Sequence, residues 1–236
     1  MAIAVRDTST FTEDGADNSF NNTADKLSIT AGDLIVVEVK WEAVVGSSIT
    51  SVTDDIGGNT YTLGTVKDGG AVGGTPHTQQ AYCLSSAGTS ATTTITVTLS
   101  SGSVTFKRAV ARSVSGFTNA ALDLFFTSGV GIDRQPVTGA GSTATAAEYV
   151  TAFAGCSAAQ TFDTPTIGGT AATGSAGGGT DTLSFYLITS SPVSSGTCTV
   201  HDTSNSDWTI VAAAFKEAST AALLSGKTNG KFQGKF

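Results

Sequence analysis

Between Gly32 and Glu42 the chain reads GDLIVVEVKWE, and no other stretch constrains its fold as tightly. Ile35, Val37, Val39 and Trp41 share one side of an extended segment and Leu34, Val36, Glu38 and Lys40 the other, the period-two pattern of a strand. The beginning of the segment is apolar on both faces. From Glu38 onward the second face turns charged, so the spacing predicts a central sandwich strand that loses its cover towards its C-terminal end.

The rest of the chain reads as partners for this strand. Only 13% of its 236 residues are charged, Gly occurs 28 times, and Ser, Thr and Ala recur throughout. Runs with helical spacing are nearly missing, which places the chain in the all-β class, and sandwiches of this length are often one domain. The net charge is -7, but residues 216–236 hold four lysines and one glutamate, leaving -10 on residues 1–215. An acidic body of this kind argues against nucleic acid as a partner, since phosphate binding relies on clustered Lys and Arg. Cys83, Cys156 and Cys198 sit in strand-like runs and are expected as reduced, buried small hydrophobes. The start, MAIAVRDTST, is unlike a secretory signal and no run approaches membrane-spanning length, which predicts a soluble protein made in a cytoplasm, with no membrane partner.

Strands are expected at Ile3–Arg6, Gly32–Glu42, Gln80–Leu84, Thr94–Ser100 and Val104–Val114, with an irregular acidic stretch at Thr12–Asp25 and a hairpin-like unit over 48–64 turning at Asp54–Asn59. The order then recurs. Glu148–Cys156 echoes Val36–Val44, Ile167–Thr170 echoes Ile56–Thr60, Leu183–Thr189 echoes Ala81–Ser85, Cys198–Val200 echoes Ile95–Val97, and Trp208–Phe215 echoes Phe106–Ser113. The repeat is compatible with two tandem sandwiches or two halves of one. Leu122, Leu124, Phe125 and Phe126 at the junction favour a shared core, so the expected fold is a single jelly-roll-like β-sandwich over 1–217, with half-repeats at about 30–117 and 145–217 and a C-terminal tail at 218–236. Trp41 and Trp208 are expected inside it.

The tail changes character. Ser219–Ser225 can form a short helix, and KTNGKFQGKF follows, with a tight-turn signal at Asn229-Gly230. Lys227, Lys231, Phe232, Lys235 and Phe236 are the expected partner-binding residues, two apolar anchors among cations that suit an acidic groove. Ala221–Thr228, AALLSGKT, fits a loose phosphate-loop pattern, but Gly230 and Gly234 leave no helix for its Lys-Thr end to launch, so nucleotide binding is not expected.

Asp54, Asp55 and Asn59, flanking two glycines, are the candidate metal ligands, with Glu13, Asp14 and Asp17 as further carboxylates. Their spacing matches no calcium loop, and the preferred reading is turn stabilisation with no metal. No G-x-S-x-G elbow occurs, and His77 beside Pro76 and His201 beside Asp202 suggest no triad, so neither catalytic residues nor a cofactor are expected. Trp41, Tyr82, Tyr149, Tyr186 and Trp208 fall in strand patterns, leaving Tyr61 as the natural surface aromatic, too few for a sugar platform.

The GDLIVVEV strand, the SVTDDIGGNTYTL turn, QAYCL, TITVTL, ARSVSGF and the closing DWTIVAAAF strand, in that order over residues 30–217, resemble a group of β-sandwich proteins among tailed-bacteriophage structural proteins. The resemblance implies a non-enzymatic virion component on the capsid surface: a capsid decoration or cement protein that binds the major capsid protein, as a homo-oligomer such as a trimer. A tail-fibre or receptor-binding module is the alternative, and a carbohydrate-binding module the third.

Overall fold

Runs rich in Thr, Val, Ile and aromatic residues form strands, and clusters of Gly, Asn and Asp between them form turns. The computed structural model describes residues 2–43, 46–69, 75–100, 104–143, 148–176, 179–193, 197–199 and 205–218, and it contains no helix among them. The first half comprises β1 (Ala4–Glu13), β2 (Ser19–Asn21), β3 (Leu27–Ile29), β4 (Leu34–Ala43), β5 (Ile49–Asp54), β6 (Thr62–Leu63), β7 (Lys67–Asp68), β8 (Thr75–Cys83), β9 (Ser90–Thr93), β10 (Ile95–Leu99) and β11 (Thr105–Ser115). The second comprises β12 (Ala120–Phe125), β13 (Gly129–Gly131), β14 (Glu148–Cys156), β15 (Thr166–Ile167), β16 (Thr170–Ala171), β17 (Thr173–Ala176), β18 (Thr182–Thr189), β19 (Cys198–Thr199) and β20 (Trp208–Glu217).

Each half builds one large antiparallel sheet. The first runs β1-β11-β4-β8-β6, with β7 also on β8; the second runs β12-β20-β14-β18-β17, with β13 also on β20. A smaller sheet faces each, β2-β10-β5 in the first half and β16-β15-β19 in the second, and β3 pairs with β9. The Gly-Gly turns after β5 and after β15 both use left-handed backbone, with φ of 76° and 83° at Gly57 and Gly58 and of 59° and 78° at Gly168 and Gly169, which an L side chain would resist; the second closes the β15-β16 hairpin of the small sheet.

The first core lies between β4, β8 and β11 on one side and β5 and β10 on the other: Ile35, Val37, Val39 and Trp41 meet Ile49, Val52, Ile95, Val97 and Leu99. The second joins Val150, Ala152, Ala154 and Cys156 of β14 to Phe185, Ile210 and Ile167. Trp41 and Trp208 are both buried, their indole Nε1 atoms donating to Ser47 Oγ (2.6 Å) and Asp133 Oδ1 (2.9 Å). Cys83 and Cys156 are both buried.

Three expectations need correction. Residues 48–64 are not a hairpin, because β5 pairs with β10 in the small sheet while β6 pairs with β8 in the large one. The turn carries the chain from one layer to the other. Second, pairing among the described residues stays within each half, whereas a jelly roll draws strands from both halves into shared sheets. Of the junction residues, Leu124 and Phe126 pack into the second core, whereas Leu122 packs against the cluster that both halves share and the Phe125 ring lies 6.1 Å from that of Tyr82 in the first half. Third, β4 does not lose its cover. Every residue from Leu34 to Trp41 is buried, including Glu38 and Lys40 at 0% exposure.

The cover is the second half itself. The outer faces of the two large sheets lie back to back, with Leu34, Val36, Tyr82 and Val114 against Ala120, Tyr149, Ala213 and Phe215. Val110 meets Phe153 and Val211 beside them. The result is four layers, small sheet, large sheet, large sheet, small sheet, with a buried seam in the middle.

Candidate functional site

The seam concentrates the buried charge. Glu38 of β4 sits in the register opposite Gln80 of β8 and Val110 of β11, at the centre of its sheet. Its Oε1 accepts from Gln80 Nε2 (2.9 Å) and from Thr151 Oγ1 (2.7 Å), and its Oε2 from Arg112 Nη1 (2.9 Å) and Ser184 Oγ. Thr151 and Ser184 belong to the second half, so a carboxylate of one half is solvated by hydroxyls of the other. Arg112 also lies 5.2 Å from the centroid of the Tyr186 ring. Burial disfavours the Arg112 charge, yet Tyr149 and Glu38 hold its pKa above the ordinary value. A buried pair of this kind is tolerable only with such hydrogen bonding around it, and removing one partner strands the other. Burial also pushes the Tyr149 hydroxyl up to about 12.

Further along β4, Lys40 Nζ lies 2.7 Å from Glu42 Oε1 and 2.7 Å from Asp181 Oδ2 of the second half. Gly155 of β14 makes room for this side chain: a Cβ there would fall 2.6 Å from Lys40 Cγ. Glycine is therefore needed in the middle of a strand, where it is otherwise unfavourable.

Where the seam reaches the surface beyond Lys40, a groove of about 310 Å³ opens between the halves, lined by Glu42, Phe106, Arg108, Ser157, Gly179 and Asp181 among others. Phe106 is set by a bulge. Thr105 pairs with Glu42 and Arg108 with Lys40, so Phe106 and Lys107 share the space of one partner residue. Lys107 turns inward and is fully buried, its Nζ donating to the Gly15 and Val104 carbonyls, with burial lowering its pKa. Phe106 turns outward, 47% exposed, at φ 49°, the one non-glycine residue with positive φ among the described residues. Holding a bulky side chain there costs about 1–2 kcal/mol.

Arg108 donates to Asp14 Oδ1 and to the Lys107 carbonyl, and its Nε stands 3.5 Å from Asp181 Oδ1. Neither of those two facing atoms forms a hydrogen bond. At the opposite rim of the seam, a second cleft of about 220 Å³ is lined by Gly64, Gln80, Phe125, Phe126 and Val211.

Of the residues singled out from the sequence, Asp14 pairs with Arg108 at the groove and Tyr149 and Tyr186 lie in the seam, while the candidate metal ligands of the 54–59 turn fall elsewhere. Asp54 spends its carboxylate on its own turn, accepting from Ile56 N (3.1 Å), Asn59 Nδ2 (2.7 Å) and Tyr61 Oη (2.7 Å). Asn59 Oδ1 accepts from Ala87 N, and Asp55 Oδ1 from Thr94 N. These bonds brace the layer-to-layer turn, and Tyr61, expected on the surface, is partly buried against the first core, where burial and Asp54 raise its pKa. No group of three or more His, Cys, Asp or Glu among the described residues is placed to hold a metal ion. His77 is buried in a stack on Trp41, with Nδ1 3.0 Å from the Thr75 carbonyl and Nε2 3.3 Å from Asp68 Oδ1. His201, Lys227, Lys231, Phe232, Lys235, Phe236 and the helix expected at Ser219–Ser225 lie outside the described residues.

Reading from the sequence missed both the seam and the groove. The signal for the seam was present in the alternation of β4, where Glu38 and Lys40 share a face with Leu34 and Val36. For the groove, the one available hint was the echo of Trp208 by Phe106. Among the described residues, no helix is long and apolar enough to cross a membrane. No family model, no curated protein and no solved structure matches the chain.

Proposed function

We propose that this protein is a structural virion component of a tailed bacteriophage, a capsid decoration or cement protein that binds the major capsid protein on the capsid surface. The observation that carries the reading is the seam. Two sandwiches packed back to back on an apolar seam, with Glu38, Arg112, Thr151 and Ser184 fixing how they sit, form one block, as a surface reinforcement requires. The ordered motifs over 30–217 that resemble phage virion sandwiches support the same reading. The matching sheet orders of the halves support an origin by duplication of one sandwich.

On this proposal the body presents an acidic surface and residues 218–236 act as the attachment tail, with Phe232 and Phe236 as anchors and Lys227, Lys231 and Lys235 around them. Burying two Phe side chains supplies about 3–6 kcal/mol, nearly cancelled by ordering a dozen residues, so attachment becomes secure when several tails act together in a homo-oligomer, a trimer being the simplest.

The test is reconstitution on purified capsids. The full chain should decorate them at a copy number that scales with the major capsid protein, and deletion of 219–236 should abolish decoration while the body stays folded. Recovery of a few copies per particle, confined to tails, would instead favour the tail-fibre or receptor-binding role. Equal decoration by the truncated chain would move the docking surface onto the sandwiches.

A further inference from the structure

We propose that Lys40 and Asp181 join in an intramolecular amide bond across the seam, with Glu42 as the proton carrier. This covalent modification goes beyond capsid attachment and depends on nothing in the tail.

The reactants are already in contact. Lys40 Nζ stands 2.7 Å from Asp181 Oδ2 and 2.7 Å from Glu42 Oε1, so one amine touches two carboxylates, one from each half. The Lys40 side chain is fully buried, and those of Asp181 and Glu42 are 13% and 12% exposed. The lysine stem is pressed against Gly155, where a Cβ would fall 2.6 Å from Lys40 Cγ, so it has little room to turn away. Groups held together in this way react as though at effective concentrations of about 10⁵–10⁸ M when well oriented. Arg108 completes the arrangement. Its Nε faces Asp181 Oδ1 at 3.5 Å, and both atoms are buried without a hydrogen bond. A guanidinium donor close to that oxygen, and not bonded to it, is placed to stabilise the negative charge that grows there when the neighbouring carbon is attacked.

The steps balance without a co-reactant. The Lys40 ammonium gives one proton to Asp181 Oδ2, and the neutral amine attacks Asp181 Cγ, forming the C–N bond and placing the charge on Oδ1 opposite Arg108. Glu42 takes a second proton from the nitrogen and passes it to Oδ2. The C–Oδ2 bond breaks, Oδ2 leaves as water with both protons, the carbonyl re-forms at Oδ1, and Glu42 ends ionised as it began. A buried ion pair, costly to desolvate, is replaced by a neutral amide that ties one half to the other. Lys107, the other fully buried lysine among the described residues, donates to the Gly15 and Val104 carbonyls, which offer no carboxylate to condense with.

The experiment is intact-mass measurement and peptide mapping of the full chain, denatured after purification. The wild type should weigh one water less than its sequence, and a digest should contain a branched peptide joining Lys40 to Asp181. Asp181→Asn should form the same bond with loss of ammonia instead of water, whereas Asp181→Ala and Lys40→Met should keep their full sequence mass. Glu42→Gln should be recovered mostly unjoined, since general acid–base help is worth about a hundredfold or more in rate. Circular dichroism checks that each variant is folded, and the wild-type result stands without them. A wild type of full sequence mass with no branched peptide overturns the proposal, as does water lost within a single linear peptide or a bond from Lys40 to Glu42. Joining in Glu42→Gln as complete as in the wild type overturns the role of Glu42 as proton carrier.

Discussion

On its inner face β4 sets Ile35, Val37, Val39 and Trp41 against Ile95, Val97 and Leu99 in an apolar core, while one residue over, on its outer face, Leu34, Val36, Glu38 and Lys40 meet the second half. Both faces are equally buried. They differ in what burial costs and what it specifies. The inner face needs only volume and apolarity, which many side-chain combinations satisfy. The outer face has buried a carboxylate and an ammonium, beside the Arg112 guanidinium of β11, and each is tolerated because a particular hydroxyl or carboxylate of the other half reaches it. Apolar contacts hold the halves together, and the polar ones fix how they sit.

The largest effect expected is on the inner face. Trp41→Ala removes the largest fully buried side chain and should cost about 3–5 kcal/mol in urea unfolding, with Trp208→Ala in the same range. A loss below about 1 kcal/mol for either would place that indole outside the core.

The outer face should respond differently. Arg112→Met leaves Glu38 buried with one strong partner fewer and should cost about 3 kcal/mol or more. Pairing it with Glu38→Met should cost less than the two single changes together, because the double change leaves no stranded charge. Strict additivity in that cycle would show that the seam behaves like an ordinary apolar core, and the contrast drawn above would be lost.

Smaller again is Gly155→Ala, whose Cβ would press on Lys40 Cγ and should destabilise by about 1–3 kcal/mol. If Lys40→Met relieves that penalty, the clash is the one identified. At the layer-to-layer turn, Asp54→Ala should cost about 1–2 kcal/mol by leaving Ile56 N, Asn59 and Tyr61 without their acceptor. EDTA should leave the melting temperature of the wild type unchanged, and a fall reversed by calcium would restore Asp54, Asp55 and Asn59 as metal ligands.

The mildest contrast appears in alkali. Burial raises Cys83 in the first core above its ordinary 9.0 and Tyr149 in the seam from 10.0 to about 12. A group whose folded pKa lies above its unfolded value contributes stability that is complete below the unfolded pKa and lost as pH rises through the folded one. Stability should therefore be flat near neutrality, begin to fall above about pH 9 through Cys83, and fall further between about pH 10 and 12 through Tyr149. Cys83→Ala should remove the earlier part of the decline, and Tyr149→Phe should make the fall above about pH 10 shallower, the remainder coming from Tyr61, whose pKa is raised as well. An unchanged profile in both variants would mean that other groups govern alkaline unfolding.

Much of this architecture was legible from the residues alone. The period-two alternation in Gly32–Glu42 and Thr94–Ser100 located β4 and β10, because a strand buries alternate side chains and the pattern is local, and the likeness of Glu148–Cys156 to Val36–Val44 located β14. Buried Trp41, Trp208, Cys83 and Cys156 followed from their places in those patterns.

What only the tertiary structure decided is how strands and halves are partnered. Residues 48–64 resemble a hairpin because a hairpin and a layer-to-layer turn share the same Gly, Asp and Asn chemistry, and the difference lies in whether the next strand pairs with β5 or with β8. Glu38 and Lys40 read as solvent-facing because a charge on a strand is ordinarily there. Their burial depends on Thr151, Asp181 and Ser184, more than a hundred positions away in the chain. Phe106 read as one more strand aromatic until the bulge that buries Lys107 turned it outward. In each case the deciding interaction is with a distant residue, and local sequence pattern carries no record of which distant residue will arrive.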